Sequence, residues 1–241
     1  MTNLQVPIFE LGVLHPDVPR HRDRLGGLPL GLPPGAWPTC AQCGAFQTFL
    51  AQFALDDERS VLLFQCDSDE ATCETWSHEG GANASLVLRR DPLLAPLAGP
   101  PSGETKIAPE VLIRSWSDAH PDGMAAYRGG APRWTSTHAH QPAMGDSFVL
   151  QLPDEVELDD LGVTAANSGA EILSTEGRET PPVPCEHYGW WSRGCRNRVG
   201  QPSQLVRQAS GKCIVEWANF GGGTMYLFMR SDGTAYHFWE R

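Results

Sequence analysis

The chain has 241 residues, of which 41% are hydrophobic and 20% are charged. This balance excludes a disordered chain and is typical of an ordinary globular protein, with enough length for one large domain or two small ones. The formal net charge is −11. That charge disfavours nucleic acid as a partner, because contacts to phosphates require a basic surface. It suits a basic protein partner, although many acidic soluble proteins have a similar surface.

The start of the chain, MTNLQVPIFELGVL, lacks the basic region and long apolar core of a signal peptide. No segment approaches the run of about 18 apolar residues that a membrane span requires. Seven cysteines without a secretory signal indicate a reducing compartment, where a C-x2-C pair binds a metal more often than it forms a disulfide. We therefore expect a cytoplasmic protein that does not bind membranes.

The high content of glycine and proline, 25 and 20 residues, favours turns and short strands over long helices. We expect a mainly β or α+β fold in a single globular unit. Residues 1–24 read as a lead-in segment whose basic cluster, residues 20–24, is solvated. Four prolines make residues 91–106 a linker or a covering loop. Strand-like runs lie at residues 46–55, 61–64, 85–90, 111–116 and 224–229.

Two pairs of cysteines flank the first two strand-like runs. Cys40 and Cys43 form a C-x2-C pair, and Cys66 and Cys73 form a wider pair. Because adjacent strands would bring the pairs together at one end of a hairpin, we predict a structural zinc site with four thiolate ligands. Buried structural thiols and redox chemistry are the alternatives. Redox chemistry favours C-x2-C at a strand-to-helix turn, whereas here Gly44 leads into a strand-like run.

Landmarks of the first half recur in the second half in the same order. They are the HPD tripeptides at 15–17 and 120–122, GG-x-P at 26–29 and 129–132, Trp37 and Trp134, FLAQF at 49–53 and FVLQL at 148–152, and the segments 62–76 and 226–239. We therefore predict two duplicated β-rich halves related by a pseudo-twofold axis. The halves span about residues 15–97 and about 120–241, and the second contains an insertion at about 153–222. The HPD tripeptides themselves are typical of turns.

The second half lacks the four thiols. An ungapped alignment of the last landmark matches Arg230 with Cys66 and His237 with Cys73. His138 and His140 fall near the place of the C-x2-C pair, so three histidines (His138, His140 and His237) could form a second metal site. The alternative is that this half has lost its metal and is stabilised by its core alone.

The insertion holds a third set of candidate ligands. They are Cys185, His187, Cys195 and Cys213, whose residue types suit zinc but whose spacing is irregular. Buried or free thiols are the alternative. Cys185 and His187 could also act as a nucleophile and its base. No G-x-S-x-G, H-E-x-x-H or Walker sequence is found, so no catalytic residue is assigned.

The pattern GG-x-P … W-P-x-C-x-x-C-G … FLAQF-x-L … LF-x-C … C resembles the YwqG-like bacterial family. It is also similar to the related eukaryotic family of programmed cell death protein 2, which combines C-x-x-C-G with a FLLQ-type strand and a cysteine-rich strand. GG-A-P-R-W … FVLQL … GGGTMYLF … FW resembles the end of the YwqG-like pattern. The resemblance covers most of residues 25–76, 129–152 and 223–239, and it implies one domain over residues 1–241.

The resemblance and the residues together give two functional hypotheses. The bacterial family has no established activity, and the eukaryotic family acts as chaperones for a ribosomal protein, which is a basic client. The first hypothesis is a non-enzymatic, cytoplasmic protein-binding module, chaperone-like or immunity-like, with a structural zinc. The alternative is a hydrolase-type or metal-dependent enzyme whose site lies between the halves and uses Cys185 or the three histidines. Convergence of those side chains would favour the enzyme.

Overall fold

The computed structural model describes residues 4–11, 23–68, 72–89, 101, 110–119, 125–136, 142–158, 171–174, 204–207, 213–218, 220 and 223–241. These residues form strands β1 (Gln5–Leu11), β2 (Arg24–Leu25), β3 (Thr48–Ala54), β4 (Arg59–Gln65), β5 (Asn83–Arg89), β6 (Val111–Asp118), β7 (Tyr127–Arg128), β8 (Ser147–Pro153), β9 (Glu155–Leu158), β10 (Glu171–Ser174), β11 (Gln204–Arg207), β12 (Cys213–Glu216), β13 (Thr224–Met229) and β14 (Ala235–Glu240). No helix is found in the described part of the chain. The prediction of a mainly β protein is confirmed.

Ten of the strands form one antiparallel sheet in the order β14-β13-β8-β7-β1-β6-β2-β3-β4-β5. The strands at its two ends contact each other through side chains, because the Ser85 hydroxyl of β5 lies 2.8 Å from Nδ1 of His237 in β14. The Asn83 amide also donates to the backbone oxygen of His237 at 3.4 Å. The sheet is therefore nearly closed, and we call the contact between β5 and β14 the seam.

The hydrophobic run in β4 is buried on both faces of the sheet. Val61 and Leu63 belong to the main core enclosed by the curved sheet. Leu62 and Phe64 point the other way and pack with Trp37, in a smaller cluster covered by the loop before β3. Two buried faces explain why this strand reads as a continuous apolar run rather than as an alternating pattern.

The first strand lies in the middle of the sheet, where β1 pairs with both β6 and β7. The prediction of a lead-in segment over residues 1–24 is therefore wrong. The prediction that the basic cluster at residues 20–24 is solvated is also wrong at its C-terminal end, because Asp23 and Arg24 are buried. Their partners lie far along the chain, since Arg24 Nη1 donates to Glu110 Oε1 at 3.0 Å and Trp116 Nε1 donates to Asp23 at 2.6 Å.

Strand pairs β2–β3 and β7–β8 have the same local geometry. The ladder between β3 and β4 has a bulge at Leu50, and the ladder between β8 and β13 has one at Val149. In both places the bulged carbonyl accepts a hydrogen bond from the first glycine of a GG-x-P segment. Gly26 N donates to Leu50 O at 2.6 Å, and Gly129 N donates to Val149 O at 3.1 Å.

A buried glutamine follows each bulge by two residues and holds the GG-x-P segment against the sheet. Leu30 N donates to Gln52 Oε1 at 3.0 Å. Arg133 N donates to Gln151 Oε1 at 2.9 Å. Leu30 and Arg133 each follow the proline of their segment directly, so the two glutamines bind the same backbone position.

Strands β9 to β12 lie between β8 and β13 in sequence and form a separate four-stranded sheet in the order β10-β11-β12-β9. This sheet joins the main core through Trp217, whose indole donates to Pro153 O at 2.8 Å. None of the described residues belongs to a helix with the length and apolarity of a membrane span.

Candidate metal centre

The four cysteines lie on two loops at one end of the β3–β4 hairpin. Cys40 and Cys43 belong to a turn before β3, and that turn is closed by a bridge between Thr39 and Phe46. Cys40 N donates to Ala45 O at 2.8 Å, which holds the turn in place. Cys66 follows the last residue of β4, so the pairing of β3 with β4 brings the loops together.

Turn geometry in the C-x2-C loop depends on Gly44. Its φ angle is 77°, a left-handed conformation that residues with a Cβ adopt only at a cost. Gly44 N donates to Cys40 O at 2.8 Å, which curls the chain so that both sulfurs of the first pair face the second loop. The glycine after the C-x2-C pair is thus required by the backbone.

All four sulfur atoms lie within 4.8 Å of one another. Cys40 Sγ lies 3.7 Å from Cys73 Sγ, and Cys43 Sγ lies 3.6 Å from Cys66 Sγ. A tetrahedral zinc ion with Zn–S bonds of about 2.3 Å separates its sulfurs by about 3.8 Å, so both distances match the edges of such a site. Among the described residues, this is the group of cysteine, histidine and acidic side chains close enough to hold a metal ion.

The two cysteine loops are joined by hydrogen bonds as well as by their sulfurs. Gln42, inside the C-x2-C pair, donates to Gly80 O at 2.9 Å and accepts from Glu74 N at 2.9 Å. Ala41 N donates to Gly81 O at 3.0 Å. Sequence reasoning missed Gln42, because nothing in its spacing indicates a partner more than thirty residues away.

The sulfurs differ in how readily they ionise. Burial raises the pKa of the Cys66 thiol, and burial also raises the pKa of Cys73 to about 11. In contrast, a hydrogen bond from the Ala45 backbone lowers the pKa of the exposed Cys43. A metal that binds here would displace the thiol protons, and four thiolates around it would form a closed set with no place for a substrate water.

His237, predicted as a ligand of a second metal site, is buried in β14 with its Nδ1 hydrogen-bonded to Ser85. Burial lowers its pKa to about 3, with a smaller effect from His78. In its ladder His237 lies opposite Leu227, as Ser85 lies opposite Leu63. His237 therefore lies within a strand, whereas Cys73 lies in the segment 66–82 that connects β4 to β5.

Most of the remaining predicted ligands lie outside the residues that the structure describes. His138 and His140 lie outside the described residues, as do Cys185, His187 and Cys195. Cys213 begins strand β12 in the separate sheet. The HPD tripeptides also lie outside the described residues, and so does nearly all of the proline-rich segment 91–106.

Comparisons with known proteins leave the family open. No family model matches the chain, and no solved structure matches it. The chain is similar to protein HEG homolog 1 of the mouse, with 32% identity over 117 residues, which is 46% of this chain. That stretch is 9% of the mouse protein, so the chain spans far less than two thirds of this relative. A match of this extent assigns neither a family nor an activity.

Proposed function

We propose that Cys40, Cys43, Cys66 and Cys73 bind one zinc ion with a structural role. The observation that carries the proposal is the convergence of four free thiols within 4.8 Å of one another. Four thiolates select a soft or borderline cation, and zinc is the one that takes a closed tetrahedral set without redox chemistry. Free thiols on adjoining loops also fit a reducing, cytoplasmic compartment.

The metal would hold a segment that reaches the seam. Residues 73–83 run from Cys73 into β5, and several contacts tie this stretch to β14. Trp239 Nε1 donates to Thr75 Oγ1 at 3.2 Å, and the His78 ring lies 4.4 Å from the Tyr236 ring. Asn83, at the end of the stretch, bonds to both Thr75 O and His237 O. A metal at the cysteines thereby stabilises the closure of the sheet.

The sheet, we propose, consists of two duplicated halves. The strand order supports this, because the central pair β1–β6 is followed outward by β2-β3-β4-β5 on one side and β7-β8-β13-β14 on the other. The matched bulges at Leu50 and Val149 and the matched glutamines support it independently. Under this proposal each half starts with its central strand, so the first half starts at β1 rather than near residue 15.

The scaffold, we propose further, is a non-enzymatic protein-binding module, either chaperone-like or immunity-like, whose partner is basic. A net charge of −11 favours such a partner through long-range attraction. Phe46 and Trp76, which are 39% and 49% exposed, lie in the two loops that carry the cysteines, and exposed aromatic side chains are common in interfaces. The resemblance to the YwqG-like and programmed cell death protein 2 families supports the same conclusion, since the latter binds a basic client.

Affinity capture with the intact chain tests the binding role. We expect basic proteins to be retained at low salt and released as salt rises, because the attraction is screened. The double variant F46A/W76A should lose them while keeping its metal, and F46Y/W76F is the matched control that keeps both aromatic surfaces. Recovery of no protein above background, or equal recovery by F46A/W76A, would contradict the proposal.

A further inference from the structure

The four cysteines differ in their exposure. Cys40, Cys66 and Cys73 are 2%, 4% and 8% exposed, whereas Cys43 is exposed to solvent. A reagent in solution therefore reaches one sulfur of the cluster before the other three. In a closed zinc site the ligand sulfurs remain nucleophilic, so access decides which of them reacts.

The position of Cys43 results from the tight turn in which it lies. Residues 41–44 are all exposed, and the left-handed Gly44 directs the chain back toward the sheet directly after Cys43. The sulfur is thus held at the surface by the geometry of the turn.

A partner for Cys43 is already in place. Its Sγ lies 3.6 Å from the Sγ of Cys66, which is buried at the end of β4. Cys40 and Cys73 form the other close pair at 3.7 Å, but both members of that pair are buried. The two sulfur–sulfur distances are nearly equal, so the pairs differ in their exposure to solvent rather than in their spacing.

From this arrangement we infer that Cys43 is the oxidation site of the metal centre, where a peroxide converts Cys43 and Cys66 to a disulfide and the metal is released. The inference rests on the proposed zinc site. It adds a modification site and a co-reactant, a hydroperoxide, to the structural role of the metal.

The step balances in two stages. The Cys43 thiolate attacks one peroxide oxygen, the O–O bond breaks, and the product is a sulfenic acid while the leaving hydroxide takes a proton to form water. The Cys66 thiolate then attacks the Cys43 sulfur, the S–S bond forms, the S–O bond breaks, and a second hydroxide leaves and is protonated to water. Two thiolates lose two electrons in total, and hydrogen peroxide gains them. Zinc loses two of its four ligands, and the remaining pair does not retain it.

The test uses full-length protein that is loaded with zinc and whose metal content is measured first. This protein is treated with one equivalent of hydrogen peroxide in the presence of a chromogenic zinc chelator. We expect release of zinc together with a Cys43–Cys66 disulfide in peptide mass spectrometry, and recovery of zinc binding after reduction. In a separate arm, a limiting amount of iodoacetamide should label Cys43 before the other three cysteines.

The variant Cys43→His keeps a zinc ligand but removes the oxidisable sulfur, so its zinc release should be at least tenfold slower. A first disulfide between Cys40 and Cys73, first labelling at a buried cysteine, or release from Cys43→His at the unmodified rate would overturn the inference. If Cys43→His fails to hold zinc, the order of labelling in the unmodified protein decides. A purified chain that binds no zinc at all would instead overturn the proposed metal site, so the two failures are distinguishable.

Discussion

The β3–β4 end and the β8–β13 end of the sheet share their bulges and buried glutamines but are stabilised in different ways. After β4 the chain continues from Cys66 into the long loop of the metal centre. After β13 it makes a short turn in which Arg230 stacks on the Tyr236 ring at 4.7 Å. That end is packed by an aromatic cluster, which consists of Trp134, Phe148, Tyr226, Phe228, Tyr236 and Phe238. The difference teaches that similar bulges and buried glutamines accompany two kinds of packing, four converging cysteines at one end and stacked rings at the other.

Removal of one of the four cysteines should give the largest difference in stability between variants at the two ends. Cys66→Ser should abolish metal binding and lower the free energy of unfolding by more than about 4 kcal/mol, the contribution of a ligand present at about 1,000 times its Kd. The matched variant Arg230→Ala, at the position that follows the other strand, should cost about 0.5–1 kcal/mol, the range of an exposed cation–π contact. Urea unfolding with metal analysis measures both. Equal losses would remove the contrast between a metal-stabilised and a ring-stabilised end.

The buried ion pair marks a second difference, between strands β2 and β7, which precede the two GG-x-P segments. Arg24 pairs with Glu110, and burial lowers the pKa of Arg24 and raises that of Glu110. Arg24→Met should cost about 3–5 kcal/mol, because it leaves a buried carboxylate without its partner. Tyr127 in β7 precedes its GG-x-P segment by two residues, as Arg24 does. Tyr127→Phe removes one hydrogen bond to Ala131 O and should cost about 1–3 kcal/mol.

The double variant Arg24→Met/Glu110→Leu is the control for the ion pair. It should recover most of the loss, because neither charge is then buried alone. A double variant as unstable as Arg24→Met alone would show that shape rather than charge governs this site.

At the seam, the buried His237 should make stability depend on pH. Its folded-state pKa of about 3 lies below the unfolded value, so the unfolded state binds the proton more readily. The stability contributed by neutral His237 is present above pH 6.5 and decreases as the pH falls toward 3. From pH 7 to pH 5 the loss should be about 2 kcal/mol for this single group.

The variant His237→Gln removes the titrating group and retains a polar side chain facing Ser85. Denaturant unfolding at several pH values should show a flatter profile for it than for the parent chain. Identical pH slopes would contradict a neutral, buried imidazole at the seam.

Gln52 and Gln151 test whether the two GG-x-P segments are held to the sheet in the same way. Substitution by Met keeps the volume but leaves Leu30 N or Arg133 N without its acceptor. Each variant should lose about 1–3 kcal/mol of unfolding free energy, the cost of one unsatisfied buried donor. Thermal and urea unfolding should give losses that agree within about 0.5 kcal/mol. A large loss at one glutamine alone would indicate that the two segments are held differently.

The smallest effect is expected at the second glycine of each GG-x-P segment. Gly27 and Gly130 have φ angles of 70° and 68°, so alanine at either position should cost about 1–2 kcal/mol. A Cβ at Gly27 would press on Glu110, which is held by Arg24, whereas at Gly130 it would meet the flexible end of Leu4. Gly27→Ala should therefore be the more destabilising, as thermal unfolding would measure. The reverse order would show that Leu4 cannot move aside.

Much of the metal centre was predictable because its determinants are local. C-x2-C followed by Gly44, and two apolar runs joined by a short turn, are sufficient to indicate a hairpin with thiols at one end. Gln42, Asp23 and Arg24 were not predictable, because each acts through a partner far along the chain. The burial of His237 was not predictable either, because it results from β14 meeting β5, two strands far apart along the chain.

X-ray absorption at the zinc edge, on protein whose zinc content has been measured, tests the central claim most directly. The account predicts one zinc per chain with a first shell of four sulfurs at about 2.3 Å and no light-atom ligand. The Cys40→Ser variant should lose that signal. A chain that carries no zinc, or a zinc bound by nitrogen and oxygen with fewer than four sulfurs, would contradict the assignment of these four cysteines.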